Sequence, residues 1–276
     1  MSSEYATSIY PDWMMPAAPP PQTPRIGGSA MPGGVHMSTG TLRTSADWQL
    51  VVTGLSMAGL GALAMVMTYI VTWGIAQVTG WPLVPYLLQI VRIGNVQHSV
   101  IFEIGVNLLT ILCFLTLMKI SSLSGYHAAE HKVIGAIERF GVATEEAARV
   151  MPRAHPRCGS NLLAGVLPMM LIGVPLLSVN TILGVAVMII GWGTRFVTGY
   201  YLQMIFATKK PSDRQLKAGV AAGQKILRLW RENPYRRVSL LRNIWNRGFA
   251  QMFFGMIVGL HIAEMIYGHL HLWLDF

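Results

Sequence analysis

The feature that most constrains this chain is a run from Leu162 to Ala207 that is apolar almost throughout. A helix needs about 20 apolar residues to cross the hydrocarbon of a bilayer, so this run is too long for one crossing. Ser178-Val179-Asn180 interrupts it near the middle, which predicts a tight hairpin between two spans. Leu50 to about Ile75, about Val100 to Leu117, and Phe249 to about Leu270 each have the length of a further crossing. Trp81 to Val91, with Pro82 and Pro85, is too short and too broken to span, and reads as a surface or re-entrant piece. Composition agrees. The chain is 53% hydrophobic and 12% charged, against roughly 25% charged residues in soluble domains. That balance excludes a soluble enzyme, a disordered protein and a secreted disulfide scaffold. Two cysteines, of which Cys113 lies inside an apolar run, make no disulfide framework. The expected fold class is all-α: a polytopic membrane helical bundle of about five transmembrane helices with cytoplasmic amphipathic helices.

Basic residues predict the orientation. Between spans two and three lie Lys119, Lys132, Arg139, Arg149, Arg153 and Arg157, and the loop between spans four and five carries a longer series from Lys209 to Arg247. The loop after span one has Arg92, and the hairpin has no basic residue. Both basic loops are therefore expected in the cytoplasm, with the N-terminus inside and the C-terminus outside, as an odd number of spans requires. The net charge of +9 then reads as basic loops beside anionic lipid, with no nucleic acid as partner.

Residues 1–45 read as a separate extended arm, because Tyr10 to Gly34 is rich in proline and glycine and has neither helical nor strand periodicity. Tyr5, Tyr10, Trp13, Met14 and Met15 are apolar enough to dock on a partner subunit; a disordered tail is the other reading. Residues 46–248 form the expected membrane domain of four spans, with cytoplasmic segments 120–160 and 208–248, and residues 249–276 an additional C-terminal transmembrane helix.

The chemistry concentrates just after span two, at Gly125-Tyr126-His127-Ala128-Ala129-Glu130-His131-Lys132. Residues up to about Phe140 favour a helix that Gly141 ends. His127 and His131, four apart, share one face of it, and two imidazoles at that spacing can bind zinc or another divalent metal. Glu130 can reach the same region. The order His-x-x-Glu-His is that of the inverted zinc-peptidase motif, in which the glutamate is the catalytic base. His155-Pro156-Arg157-Cys158-Gly159 follows, offering another imidazole and a thiolate on a turn. A short helix between the two, with Thr144 as N-cap and Glu145 and Glu146 in its first turn, can fold His155 or Cys158 back as third ligand. Arg157 or Lys132 can hold an anionic group such as a lipid phosphate. The same residues could instead pack a cytoplasmic mouth, hydrogen-bonded to helix ends.

Ser212 or Asp213 can cap a helix from about Arg214 to Trp230, with Leu216, Val220, Ile226, Leu227 and Trp230 on one face and Lys217, Lys225, Arg228 and Arg231 elsewhere. A basic amphipathic helix beside a membrane is expected to lie in the interface. The alternative is a cover over the metal site, with Asp213 as ligand or supporting group. In the last span His261 and Glu264 are three apart on one face. Ionisable residues there point to function: a paired set at a helix interface, or His261 as ligand of a metal-centred tetrapyrrole.

Three segments in this order, the one from Gly125 to Lys132, His155-Pro156-Arg157-Cys158-Gly159 and Pro211-Ser212-Asp213-Arg214-Gln215-Leu216, resemble the YqhQ-like family of bacterial membrane proteins over about residues 95–230. The resemblance implies an inner-membrane, metal-dependent protein with His127, Glu130, His131, His155 and Cys158 as site residues. The chain departs from the family pattern at Ile26 to Val35, where an expected acidic residue is absent, and at Lys217, where an acid commonly stands. Two functions follow as expectations. One is a metal-dependent membrane hydrolase with Glu130 taking a proton from metal-bound water. The other is a non-catalytic accessory subunit of a larger membrane complex, joined through the N-terminal arm and the last span. A transporter is disfavoured, because matching halves with paired broken helices are missing.

Overall fold

The computed structural model describes residues 23–87, 100–234 and 236–274. In chain order the elements begin with strands β1 (Gly27–Met31) and β2 (Gly34–Ser38), then helices α1 (Asp47–Thr79), α2 (Leu83–Leu87), α3 (Val100–Ile120) and α4 (Leu123–Phe140). The short α5 (Glu145–Val150) leads to α6 (Ser160–Leu177), α7 (Thr181–Gly193) and α8 (Arg195–Ala207). The chain ends with α9 (Asp213–Glu232), α10 (Leu240–Asn246) and α11 (Phe249–Leu274).

Helices α1, α3, α6 and α11 are long and apolar enough to cross a membrane, and α7 with α8 makes a fifth if that pair, bent by 66°, is one span. The all-α architecture fits a multi-pass membrane protein. Leu63, Val66 and Ile70 of α1 are more than half exposed, as lipid-facing residues are. The break expected at Ser178-Val179-Asn180 is present, and the Asn180 side chain caps α7 by accepting from Leu183 N–H at 3.0 Å. The bend at Thr194 had no proline to announce it. There the Arg195 guanidinium lies over the rings of Trp192 and Phe196, 4.6 and 4.5 Å from their centroids. Of the segment Trp81 to Val91, Leu83–Leu87 is a short helix whose Leu83 and Leu87 pack with Val106, and residues 88–91 lie outside the described residues.

The chain folds into two compact units that interleave along the sequence, one taking Met1–Leu60, Met118–His155 and Ala207–Phe276, the other Gly61–Leu117 and Pro156–Phe206. These bounds differ from the serial division into arm, four-span domain and added helix. In the first unit the last helix is a close neighbour of the first. A Cβ on Gly54 would run into the Met252 carbonyl and one on Gly255 into the Val51 carbonyl. Gly54, Ala58, Gly255 and Gly259 thus let α1 and α11 approach backbone to backbone, as small residues four apart do in bilayers. Asp47 fastens their ends: it pairs with Arg43, and accepts from Gln251 Nε2 at 2.7 Å and Trp245 Nε1 at 3.1 Å.

The extended-arm reading needs correction over residues 27–38, which form an antiparallel hairpin closed at the Met31–Gly34 pair. Pro32 and Gly33 (φ 84°) make its tight turn, so the residues that read as breakers are the turn itself. No alternation announced β2, because Val35, His36, Met37 and Ser38 are buried in succession. Residues Tyr5, Tyr10, Trp13, Met14 and Met15 lie outside the described residues.

The hairpin and α9 pack with α4 in one core, formed by Ile26, Val35, Met37, Val133, Ile134, Ile137, Leu216, Val220, Ile226 and Leu227. The apolar face of α9 is therefore spent on protein rather than on lipid, a correction to the interfacial reading. Lipid would accept that face with any side chains; docking onto α4 needs glycines. A Cβ on Gly219 would lie 3.2 Å from the Ala129 carbonyl oxygen, and one on Gly223 only 2.5 Å from Val133 Cγ1. Each buried aliphatic side chain on this face contributes about 1.5–3 kcal/mol. Ser212 and Gln215 form the capping box of α9. Gln215 Nε2 also donates to the Ser122 carbonyl at 3.1 Å, a contact for which Gly125 leaves room.

His36 is fully buried, with Nε2 3.3 Å from the Asn246 carbonyl and Nδ1 without a hydrogen-bond partner. Burial lowers its pKa to about 4, against the Asn246 bond and with help from Arg43. The unfolded chain binds the proton first, so this residue's contribution is complete above about pH 6.5 and is lost as pH falls towards 4. The loss amounts to about 3 kcal/mol. Unfolding in detergent should therefore show stability falling from pH 6.5 to 4, with a shallower slope in His36→Gln; equal slopes would remove His36 as the cause.

Candidate metal centre

Helix α4 carries His127 and His131 one turn apart, with ring centroids 4.3 Å from each other. Small neighbours make this possible: Ala128, Ala129 and Ala136 are fully buried, so other segments can crowd the helix. Two backbone carbonyls reach the rings. Ala207 O lies 3.1 Å from His127 Nδ1, and Arg153 O lies 2.7 Å from His131 Nδ1. A carbonyl oxygen can only accept, so each Nδ1 carries the hydrogen, which in a neutral ring makes Nε2 the acceptor atom. This is the tautomer that metal-binding histidines adopt when a carbonyl orients them.

Lysines tie down the segments that carry those carbonyls. Lys209 Nζ donates to Ile120 O at 2.8 Å and Ser121 O at 2.7 Å, and Lys119 Nζ to Thr208 O at 2.7 Å. Both fix the segment that begins at Ala207. Lys132 Nζ donates to Arg149 O at 3.0 Å and to Met151 O, tying down the segment that contains Arg153. Burial, aided by Arg153 and Arg149, lowers the Lys132 pKa. The ammonium expected to hold a substrate anion is thus committed to backbone carbonyls. Arg157 is exposed on the turn.

His127, His131 and Cys158 form a group that could hold a metal ion, since one ligand atom from each lies within 4.8 Å of the others. Between the two third-ligand candidates this favours Cys158. His155 lies outside the group: its Nε2 is 3.2 Å from Glu138 Oε2, and its ring centroid is 5.7 Å from that of His131. Glu138 was missed in the sequence, although it stands two turns beyond His131 on the same face of α4. Glu130, also outside the ligand group, is buried against the hairpin. A Cβ on Gly28 would lie 2.8 Å from both its Cγ and Oε1, so the carboxylate occupies space that only glycine leaves. Asp213, considered as a further ligand, is exposed and pairs instead with Arg149 at 2.6 Å, which lowers its pKa. His261 Nδ1 and Glu264 Oε2 are 3.6 Å apart on α11, far along the chain from α4.

Cys158 precedes the first turn of α6. Its sulfur accepts from Ser160 N–H at 3.4 Å and from the Ser160 hydroxyl at 3.1 Å. Two further residues shape this turn. Asn161 Nδ2 donates to the Pro156 carbonyl at 2.7 Å, while its Oδ1 accepts from Gln203 Nε2 at 2.9 Å. Both side chains are buried, and Gly199 leaves room for the Asn161 amide. Amides inside apolar helices are a sequence signal for such a clamp, though they do not say what it grips. Asn161→Ala removes the bond from Gln203 Nε2 and the donor to the Pro156 carbonyl, so unfolding in detergent should show a loss of about 1–3 kcal/mol. Gly199→Ala, which displaces the same side chain, should match it; unchanged stability in both would remove the clamp.

A family model described as a protein of unknown function, DUF1385, matches residues 27–194. No curated protein and no solved structure matches significantly. The matched region starts at the hairpin and includes the histidine pair and the Cys158 turn, but stops before Pro211-Ser212-Asp213-Arg214-Gln215-Leu216. Its span thus differs from the motif resemblance over residues 95–230. Because it covers more than half of the 276 residues, the chain belongs to the DUF1385 family of proteins of unknown function.

Proposed function

We propose that this chain is a YqhQ-like protein of the bacterial inner membrane that holds one zinc ion on His127, His131 and Cys158 and uses it in hydrolysis. The observation that carries the reading is that one ligand atom from each of His127, His131 and Cys158 lies within 4.8 Å of the others, with the two rings oriented by backbone carbonyls at Nδ1. Two imidazoles and a thiolate suit zinc, and three protein ligands leave a fourth position for water, as catalytic sites do. Zinc lowers the pKa of bound water and so supplies a hydroxide-like nucleophile near neutral pH. In this reading the Glu130 carboxylate would serve as the base for the water's proton, and Arg157 would be the cation that holds an anionic substrate group. The positive-inside rule applied to the basic segments supports a cytoplasmic position for this face and an outside C-terminus, and the substrate class proposed is lipid or a lipid-linked molecule.

Elemental analysis of the protein purified in detergent should find about one zinc per chain, and His127→Ala combined with His131→Ala should abolish it. Cobalt substitution should give a thiolate-to-cobalt charge-transfer band that Cys158→Ser removes. Folded protein that takes up no stoichiometric metal overturns the reading.

A second reading, an accessory subunit of a larger membrane complex, draws on the end of the family match at residue 194, which leaves α8, α9, α10 and α11 outside it. Co-purification with a fixed set of other proteins would favour it, and a zinc-loaded protein purified without them would count against it.

A further inference from the structure

The basic loop from Lys209 to Arg247 meets different surroundings along its length. Lys209 and Lys225 are committed to backbone carbonyls, and the apolar face of α9 is spent on α4. Helix α10 and the residues just before it remain. Arg236, Arg237, Arg242 and Arg247 stand within residues 236–247, and that stretch contains no acid.

Helix α10 has two opposite faces. On one, Asn246 Nδ2 donates to the Gly40 carbonyl at 2.9 Å and to the Thr41 carbonyl at 3.2 Å, and a Cβ on Gly40 would collide with the Asn243 amide. This side is docked on the loop after β2. At about 100° per residue, Leu240, Leu241, Ile244 and Trp245 lie on the other side. All four are exposed, Leu240 and Leu241 at 77% and 79%. Arg242 borders that face on one edge and Arg247 on the other. Gly248, with φ 86°, ends α10, and its carbonyl accepts from Met252 N–H in the first turn of α11. The 26 residues of α11 reach about 39 Å, more than the roughly 30 Å of hydrocarbon, so α10 sits where this span enters the bilayer. Tryptophans mark the same level. Trp245 Nε1 donates to Asp47 at the start of α1, and the adjacent Trp48 is exposed.

We propose that α10 is an in-plane anchor that docks on anionic lipid of the leaflet that α11 enters. Leu240, Leu241, Ile244 and Trp245 enter the boundary between headgroups and acyl chains, and the four arginines meet lipid phosphates, as in amphipathic helices with basic borders. Continuity with the span argues for lipid as the occupant, since a protein covering this face would have to sit within the headgroup layer. The absence of acids along the stretch argues for anionic over zwitterionic lipid.

Hydrogen–deuterium exchange of the full-length chain in nanodiscs, read over Leu240–Asn246, tests this. Each arginine near an anionic surface is worth about fivefold in affinity. Exchange should therefore slow at least about tenfold when phosphatidylglycerol replaces half of the phosphatidylcholine. Arg236→Gln, Arg237→Gln and Arg242→Gln together should erase the difference between the two lipids, and Leu240→Ser with Leu241→Ser should speed exchange in both. All five side chains are exposed, so helix content by circular dichroism should match wild type. A photoreactive benzophenone at Leu241 should form lipid adducts when irradiated in native membranes. Wild-type exchange indifferent to lipid charge, or adducts with protein only, would each overturn the proposal.

Discussion

Close approach to α4 is the constraint on which the rest depends. Where other segments come near the helix, they do so through glycines: Gly219 against Ala129, and Gly28 and Gly223 making room for the larger side chains of Glu130 and Val133. Side chains at these points would push the hairpin and α9 outward. The core built from Val133, Ile137, Val35, Met37 and Ile226 would then open. Packing in this part of the chain is that of a small water-facing domain, in contrast to the exposed aliphatic residues along α1 and α7.

The histidine pair is a product of that packing. Alone on a helix, two imidazoles at i and i+4 would rotate freely and choose either tautomer. Here Ala207 and Arg153 supply carbonyls that choose for them, and lysine ammonium groups neutralise the neighbouring carbonyls, holding those segments near the rings. Basic residues that read as partners of lipid or substrate serve as fasteners, because desolvated carbonyl groups at helix ends need donors and a lysine can reach several at once.

How much of this was legible in the sequence depends on which signal each feature leaves. Span length and the break at Asn180 were readable because hydropathy and capping are local. The spacing of His127 and His131 was readable for the same reason. The hairpin was not, since Pro32 and Gly33 look like breakers and β2 is buried on both faces. The docking of α9 was missed because its amphipathic pattern is the same whether lipid or protein covers the apolar face; Gly219 and Gly223, in register along that face, were the signal that could have told them apart. Residue type left His155 and Cys158 as equal candidates for third ligand, because the pairing of His155 with Glu138 across the fold leaves no local signal.

Zinc K-edge X-ray absorption on the purified, zinc-loaded protein tests the central claim most directly. Coordination by His127, His131 and Cys158 requires one sulfur at about 2.3 Å and nitrogen or oxygen neighbours at about 2.0–2.1 Å, with the multiple scattering typical of imidazole. An all-oxygen shell, or a spectrum without the sulfur distance, would contradict it.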